Sequence, residues 1–386
     1  MAAPKLRFKE FDGDWVKTNF GKVASHISYG LTVRPEYIEN GIKLISAREI
    51  STGNIDFDNA PKISISDFML LSDKAKPQKY DLFLSKTGSI GFTSIVETDE
   101  KFAITQNIAN IRLNNLSEQD PYFFLQQMRT TSFQLKAISV VNQSTIMDLQ
   151  LGDIKKLEIG YPSKEEQTKI ASFLSNVDEK ISQLTQKHEL LSQYKQGMMQ
   201  KLFSQQIRFK ADDGSEFGDW EDKKLGDICS HFQSGKTITS ATISDNGAYP
   251  VFGGNGLRGF TDTYTHDGIF ALIGRQGALC GNINLVQGEN FISEHAIAVQ
   301  ANQESSTQWL AMWLDFMQLN RFSESSAQAG LAVNKLVKFD IKVPCLEEQT
   351  KIANFLSSID QKIEVVAQQI ELAKTWKKGL LQQMFV

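Results

Sequence analysis

The chain has 386 residues, of which 41% are hydrophobic and 22% are charged, and its formal net charge is −4. At roughly 100 to 200 residues per domain, this length predicts two or three domains, each large enough to bury its own core. The composition excludes a disordered or fibrous chain. The net charge argues against a protein that coats polyanions through bulk positive charge, but it permits a local basic groove.

No apolar run approaches the roughly 18 residues that span a bilayer, and the start of the chain lacks the apolar stretch of a secretion signal. We therefore expect a cytosolic protein, in the cytoplasm and without a membrane partner. Cys229, Cys280 and Cys345 lie far apart, without histidines at ligand spacing. We expect them to be core residues, so neither a disulfide framework nor a metal site is predicted.

Hydrophobic patterning predicts two mixed α/β regions, each followed by a long helix. Alternating or β-branched runs predict strands, in chain order, at residues 42–45, 81–85, 92–96, 103–113, 268–273 and 292–299. Shorter helices are predicted over residues 121–139 and 307–323. The aromatic residues of the second of these helices share one face, which favours a place in the core.

The long helices are predicted by an apolar period of 3.5 residues that is held over about five heptads, which is typical of a coiled coil. Each helix would extend roughly 58 Å at 1.5 Å per residue. The period is interrupted by His188, Lys195 and Lys377, which we expect to set register or to reach solvent. The positions predicted to pack helix against helix or subunit are Ile170, Leu174, Val177, Ile181, Leu184, Leu191, Ile352, Leu356, Ile359, Ile363, Val366 and Ile370.

The chain also contains an internal repeat. Residues 162–181 (PSKEEQTKIASFLSNVDEKI) match residues 344–363 (PCLEEQTKIANFLSSIDQKI) at 14 of 20 positions without a gap. A shorter match opens each half, where Arg-Phe-Lys precedes Gly-Asp-Trp. The predicted organisation is a variable domain, a helix, a second variable domain and a second helix, at residues 1–161, 162–205, 206–343 and 344–386.

Two segments resemble catalytic motifs, but each lacks a feature that the motif requires. Residues 254–259 fit G-x-G-x-x-G, but no helix follows to bind a pyrophosphate. Residues 234–237 end like a phosphate-binding loop, but Ser230 stands where the first glycine is required. The sequence has no His-x-x-x-His pair and no Asn-Pro-Pro-aromatic tetrapeptide, so no catalytic residue is predicted and a recognition scaffold is favoured.

With these features the whole chain resembles the DNA specificity subunit of type I restriction-modification systems. The E-E-Q-x-x-I-A-x-F-L-x-x-x-D-x-x-I signature at residues 165–181 and 347–363 looks like the repeated region of that family. A strand, a basic residue, a glycine turn and a second strand, at residues 81–96 and 268–286, also match. The first half departs from the family pattern at Tyr80-Asp81 and at Lys86, where Gly-Asp and Arg are common.

The resemblance implies an α+β fold, with two α/β target recognition domains separated by two long antiparallel coiled-coil helices and related by a pseudo-two-fold repeat. Each domain would recognise one half of a split, asymmetric site in double-stranded DNA. The helices would dock two modification (methyltransferase) subunits, and two restriction (translocase and nuclease) subunits would join them. S-adenosylmethionine, ATP and Mg²⁺ would serve those partners, and this non-catalytic chain would bind no cofactor.

Recognition of bases uses Arg or Lys toward guanine, Asn or Gln toward adenine, and small hydroxyls presented from loops. The predicted DNA contacts are Tyr29, Arg34, Arg48, Lys86, Thr87 and Ser89 in the first domain, and Lys236, Thr237, Asn255, Arg258, Arg275 and Gln276 in the second. The alternative for each is a solvated loop side chain without a contact. Residues 206–343 carry 11 basic and 16 acidic side chains, so we expect the few cations of that domain to share one face.

Two other classes of function remain open from the residues alone. A coiled-coil scaffold that binds only proteins would explain the helices, although it would leave the turns rich in Lys, Arg, Gln, Asn and Gly without a role. A self-sufficient methyltransferase or nuclease would require an unrecognised catalytic site. The target sequence and the length of its spacer do not follow from the sequence.

Overall fold

The computed structural model describes residues 4–141, 147–277, 279–323 and 330–385. Contacts divide the chain into two compact units, unit 1 (Met1–Thr185 with Gln368–Val386) and unit 2 (Gln186–Ala367). Each unit combines one α/β region with part of both long helices, so the units cut across the four segments predicted from the sequence. Among the described residues, none of the helices combines the length and apolar character that crossing a bilayer requires.

Unit 1 contains nine strands in its described residues, joined in three small sheets. They are β1 (Val16–Asn19), β2 (Ala24–Tyr29), β3 (Ile42–Ile45), β4 (Lys62–Ile63), β5 (Leu82–Ser85), β6 (Thr93–Ile95), β7 (Ala103–Ile104), β8 (Ile108–Leu113) and β9 (Glu158–Tyr161). A four-stranded antiparallel sheet has the order β2-β8-β5-β6, a second sheet has the order β4-β3-β7, and β1 pairs with β9. In the second sheet β3 pairs antiparallel with β4 and parallel with β7.

The described strands of unit 2 repeat this topology. They are β10 (Glu221–Lys224), β11 (Cys229–Ser234), β12 (Tyr249–Gly253), β13 (Gly256–Thr261), β14 (Ile269–Gly274), β15 (Ile283–Gln287), β16 (Phe291–Ile292), β17 (Ala296–Ala301) and β18 (Asp340–Val343). Their sheets have the orders β11-β17-β14-β15 and β13-β12-β16, and β10 pairs with β18. The internal duplication therefore extends to the variable regions, where sequence similarity is thin.

The helices include two that pass from one unit into the other. They are α1 (Phe20–Val23), α2 (Ile65–Met69), α3 (Pro121–Met128), α4 (Thr131–Ser139), α5 (Leu151–Lys156), α6 (Lys164–Phe203), α7 (Thr307–Phe316), α8 (Val333–Leu336) and α9 (Leu346–Met384). The helices α6 and α9 contain 40 and 39 residues. The predicted α+β class with two long helices and an internal repeat is confirmed.

The shorter predicted helices are interrupted. The helix expected over residues 121–139 is divided into α3 and α4, because Thr130 adopts an extended conformation and its hydroxyl accepts a hydrogen bond from the amide of Phe133 as an N-cap. The helix expected over residues 307–323 ends at Phe316, because Gln318 has a φ of 49°. A short 3₁₀ turn follows it.

The long helices contribute to a separate core in each unit. In unit 1 the start of α6 and the end of α9 pack with α3 and the four-stranded sheet, and in unit 2 the end of α6 and the start of α9 pack with α7. The two helix segments therefore run antiparallel within each unit. Of the twelve predicted packing positions nine are buried, and Ile181, Leu191 and Ile363 are partly buried.

The glutamates at the start of each long helix form buried ion pairs with the opening of the same half. Arg7 donates to Glu166 and Arg208 donates to Glu348, with 2.7 Å between the nearest atoms in both pairs. The indole of Trp220 also donates to Glu348 at 3.1 Å. The two short motifs that recur in each half, Arg-Phe-Lys at its opening and Glu-Glu-Gln at the start of the long helix, thus contact each other.

The glutamine that follows each of these glutamates joins the helix to the preceding domain. The side-chain oxygen of Gln167 accepts from the amide of Asp120 at 2.9 Å, and that of Gln349 accepts from the amide of Ser306 at 2.8 Å. Asp120 and Ser306 are the N-caps of α3 and α7. The E-E-Q signature therefore fixes the angle between the domain and its helix within each unit.

A second ion pair is duplicated along the helices. Lys377 pairs with Asp178 at 2.5 Å in unit 1, and Lys195 pairs with Asp360 at 2.6 Å in unit 2. The two aspartates, and likewise the two lysines, are 182 residues apart, which is the offset of the repeat. The lysines expected to set register or reach solvent therefore bind a carboxylate of the other helix.

We expect Arg208→Met to lower the free energy of unfolding by roughly 3–5 kcal/mol, because Glu348 is 0% exposed and would lose its cation. The matched control is Lys210→Met, which breaks an exposed pair with Glu216 and should change stability by about 0.5 kcal/mol or less. Urea unfolding followed by tryptophan fluorescence measures both variants. Equal stability of the two variants would contradict the role given to the buried pair.

Candidate nucleic-acid interface

The predicted contact turns lie at equivalent places in the two units. The amide of Lys86, just after β5, donates to the carbonyl of Asn107 at 2.8 Å. The amide of Arg275, just after β14, donates to the carbonyl of His295 at 3.0 Å. Asn107 and His295 lie in the breaks between β7 and β8 and between β16 and β17, where the sequence predicts continuous strands. Those breaks anchor the two basic residues.

Both turns depend on glycine at two positions. We call residues 86–91 the first glycine turn and residues 275–281, of which residue 278 lies outside the described ranges, the second glycine turn. The φ values are 77° at Gly88 and 104° at Gly91, and 82° at Gly277 and 91° at Gly281. Other residues rarely adopt these left-handed conformations, so the glycines set the shape of the turns. The second turn is one residue longer than the first.

In unit 2 the hairpin of β12 and β13 packs against the second glycine turn. A Cβ atom at Gly254 would lie 2.6 Å from the carbonyl oxygen of His295 and 2.9 Å from the Cα of Gly274. Only glycine permits this approach without a shift. The next residue of the hairpin, Asn255, therefore lies beside the turn that begins at Arg275.

Lys236 approaches the same segment from the other side. Its amide donates to Ile292 at 2.8 Å, and its carbonyl accepts from Glu294 at 3.1 Å. The structure thus gathers the hairpin, the second glycine turn and the Lys236 loop around residues 292–295. Lys236, Thr237, Asn255, Arg258 and Gln276 are exposed and Arg275 is partly exposed. Within the described ranges, no carboxylate lies within ion-pair distance of the three cations.

Unit 1 places Arg48 at the position of Asn255. The amide of Thr105 donates to Ile45 at the end of β3, as the amide of Ser293 donates to Phe252 at the end of β12. Arg48 follows β3 by three residues, as Asn255 follows Phe252, and 83% of its side chain is exposed. The two loops therefore occupy equivalent places in their units.

The remaining predicted residues of unit 1 are spread more widely. Tyr29 is exposed at the end of β2. Arg34 lies in a separate loop, 6.0 Å from the ring of Tyr37, and lines a pocket with Ser64 and Asp67. Ser89 is exposed in the first glycine turn. The structure thus associates Ser89 directly with Lys86, but places Arg34 beside α2.

Lys86 is held by an ion pair. Its ammonium lies 2.5 Å from the carboxylate of Asp148, and 10% of the Lys86 side chain is exposed. The hydroxyl of Thr87 donates to the same carboxylate oxygen at 2.6 Å. Burial alone would raise the pKa of Asp148, but the hydrogen bonds from Lys86 and Thr87 bring it below its usual value. The DNA contact of Lys86 stays a prediction, and it would require this pair to open or to be shared.

Sequence reasoning missed Asp148 and its neighbour Gln150, whose side-chain amide also donates to that carboxylate. Asp148 is 62 residues from Lys86 in the chain. No spacing rule connects a lone aspartate with a turn so distant. The internal repeat is the one available sequence signal. In both units the glycine turn forms a β-bridge with a segment that lies shortly before the long helix.

The Tyr80-Asp81 pair, where the family pattern has Gly-Asp, lies directly before β5. Asp81 is buried, and both of its oxygens accept from the guanidinium of Arg112, at 2.7 and 2.6 Å. Asn110 donates to Asp81 as well, at 3.0 Å. Tyr80 adopts a φ of 72°, which costs more for tyrosine than for glycine. Asp81 thus joins β5 to β8 and does not face the first glycine turn.

Two histidines near Lys236 form an edge-to-face pair. The ring centroids of His231 and His266 are 5.3 Å apart. Burial lowers the pKa of both rings. The charge of Lys236 lowers the pKa of His231 further, and the charges of His231 and Lys236 do the same for His266. No group of three or more His, Cys, Asp or Glu side chains in the described part of the chain is arranged to hold a metal ion.

Comparisons with known proteins agree with this geometry. The family model described as the type I restriction modification DNA specificity domain matches residues 32–193 and again residues 218–375. The EcoprrI type I restriction enzyme specificity subunit of Escherichia coli is 33% identical over 228 residues, which cover 56% of this chain and 56% of that subunit. The match thus spans about half the length of that relative.

A longer match joins the chain to the MjaVIII specificity subunit of Methanocaldococcus jannaschii, which is 25% identical over 352 residues, 83% of this chain and 78% of that subunit. The crystal structure of a type I restriction-modification S subunit from M. genitalium superposes with a TM-score of 0.69 at 21% identity, covering 100% of this chain and 99% of that one. That likeness concerns the fold. Because the family model matches both halves, this chain belongs to the type I restriction-modification DNA specificity family.

Proposed function

We propose that the chain is the subunit that gives a type I restriction-modification complex its DNA sequence specificity, by recognising a bipartite, asymmetric target. It docks two modification subunits and two restriction subunits and has no catalytic role itself. S-adenosylmethionine, ATP and Mg²⁺ are used by those partners. The observation that carries the proposal is a pair of equivalent turns, which receive the same backbone hydrogen bonds and carry different side chains.

The side chains predict an asymmetric target. Unit 1 presents Arg48 where unit 2 presents Asn255, and the first glycine turn has Lys86 where the second has Arg275. Arginine favours guanine and asparagine favours adenine in the major groove. Two domains with the same topology but different donors and acceptors would therefore recognise different bases in each half of the site.

The long helices suit a spacer between two half-sites. A helix of 40 residues is about 60 Å long at 1.5 Å per residue. At about 3.4 Å per base pair, this length corresponds to up to about 17 base pairs. We infer that the helices set the number of unrecognised base pairs between the half-sites.

The docking of two copies of one partner is supported by a duplicated apolar surface. Leu190 and Tyr194 lie one turn apart on α6 and are 57% and 51% exposed. The equivalent residues of α9, which are Leu372 and Trp376, are 70% and 55% exposed. Large exposed apolar side chains at the same positions of both repeats would offer the same contact twice.

The proposal is tested by expressing the chain with its modification subunit in a methylation-free host and mapping N6-methyladenine across the genome by single-molecule sequencing. We expect a split motif that is absent when this chain is omitted. A stable complex without sequence-dependent methylation would favour the alternative of a coiled-coil scaffold that binds only proteins.

We expect Arg275→Glu and Arg258→Glu each to abolish site-specific methylation, because a carboxylate would replace a cation at the surface assigned to DNA. The control is Lys224→Glu, which reverses an exposed charge on β10, outside the hairpin and the turn. Methylation is measured in the same mapping experiment. Full methylation by both arginine variants would remove these residues from the interface.

We expect an insertion of four residues after Leu191, matched by four after the equivalent Ala373, to lengthen the spacer by about two base pairs, because four helical residues add about 6 Å. Both half-sites should keep their sequences. A four-residue insertion in the exposed turn at residues 212–215 is the control. Altered half-site letters with an unchanged gap would contradict the role of the helices.

We expect the double variant Leu190→Ser with Tyr194→Ser to weaken the binding of one modification subunit by roughly tenfold or more, since exposed aromatic anchors dominate many interfaces. The pair Leu372→Ser with Trp376→Ser should weaken the other copy. Native mass spectrometry would then detect complexes with one partner instead of two. Leu135→Ser, an equally exposed position on α4, is the control, and an unchanged stoichiometry in both double variants would rule out this surface.

A further inference from the structure

Each glycine turn is held by backbone hydrogen bonds to a second segment of its unit. The backbone contacts are the same in both units, but the side chains of the second segment differ. Thr87 forms an antiparallel bridge with Asp148, and Gln276 forms one with Gly330. The residue after each partner donates its amide to the basic residue of the turn, at 2.7 Å in unit 1 and 3.0 Å in unit 2. Asp148 and Gly330 therefore occupy equivalent positions, and only one of them carries a side chain.

In unit 1 both oxygens of the Asp148 carboxylate accept hydrogen bonds. One oxygen accepts from the ammonium of Lys86 at 2.5 Å and from the hydroxyl of Thr87 at 2.6 Å. The other oxygen accepts from the side-chain amide of Gln150. The Asp148 side chain is 31% exposed and that of Lys86 is 10% exposed. The cation of this turn is thus paired before any nucleic acid arrives.

Among the described residues of unit 2, the equivalent cation, Arg275, has no carboxylate partner. Gly330 offers no carboxylate, and no residue in the described ranges forms an ion pair with Arg275. A free guanidinium can donate two hydrogen bonds to the O6 and N7 atoms of guanine. A lysine already bound to a carboxylate can reach a base only by giving up that contact, so the same turn would present different chemistry in the two units.

We propose that Asp148 is a specificity-determining residue, which withdraws Lys86 from the DNA. The first glycine turn then presents no cation to the bases and exposes the neutral side chain of Ser89, whereas the second contributes Arg275. This inference rests on the proposed function and adds a rule to it. The first half-site has no guanine contact from its glycine turn, and the second half-site has one.

The test compares four complexes of the full chain with its modification subunit in the methylation mapping experiment. Asp148→Asn keeps the shape of the side chain but removes its charge, which frees Lys86. The double variant Lys86→Met with Asp148→Asn removes both charges. Arg275→Met removes the cation of the second turn, and the unmodified chain provides the reference. Thermal unfolding of each purified complex establishes that the variants are folded.

We expect Asp148→Asn to change the first half-site at one base pair, with guanine newly accepted there, and to leave the second half-site unchanged. The double variant should restore the original first half-site, because neither charge contacts a base. Arg275→Met should relax one guanine of the second half-site and reduce methylation there by roughly 5- to 150-fold, the range for one bidentate contact.

The inference is overturned if Asp148→Asn leaves the first half-site as it was, or if the double variant alters that half-site as strongly as Arg275→Met alters the second. The double variant decides the question even if Asp148→Asn alone fails to fold, because it leaves no unpaired charge. A reference complex without any split motif would overturn the proposed function itself, which is a different result from a split motif that ignores residue 148.

Discussion

Both halves of the chain depend on a buried ion pair between the start of a long helix and the opening of the same half. A carboxylate removed from water is stable only when a hydrogen-bonded cation compensates it, so Glu166 requires Arg7 and Glu348 requires Arg208. The partners are 159 and 140 residues apart in the chain. Each pair therefore closes a unit around its sheets, which explains why two short motifs persist in both halves while the residues between them differ.

The framework and the candidate interface obey different constraints. Both units have the same strand order and two glycines in the turn. The backbone amides of Lys86 and Arg275 also donate equivalent hydrogen bonds. These features depend on backbone atoms, so they are compatible with many different side chains. The side chains at the exposed positions make few contacts with the core, so they can change without loss of the fold. A duplicated protein can therefore keep one architecture while the side chains of its two candidate surfaces differ.

The long helices and the duplication could be predicted from the sequence, because a sustained 3.5-residue period and 14 identities in 20 positions are local signals. The division at Thr130 could not, because one N-cap hydroxyl outweighed a continuous helical pattern. The breaks around Asn107 and His295 were also missed, since apolar residues continue on both sides. Of the candidate interface, the turns were found by their glycines, whereas the pairing of Lys86 required a tertiary contact.

Beside the long helices, too, an ion pair is the same in both units while a neighbouring side chain differs. In unit 1 the ion pair of Asp178 and Lys377 is approached by Arg129, which lies 3.6 Å from Asp178. In unit 2 the residue at the same distance from its N-cap is Asp315, which lines a pocket with Lys195. The side chain beside the ion pair is thus a cation in unit 1 and an anion in unit 2. The third charge decides the net charge of each cluster while the pair itself is the same in both units. The same architecture therefore tolerates different local electrostatics, as it also does where Asp148 faces one turn and Gly330 the other.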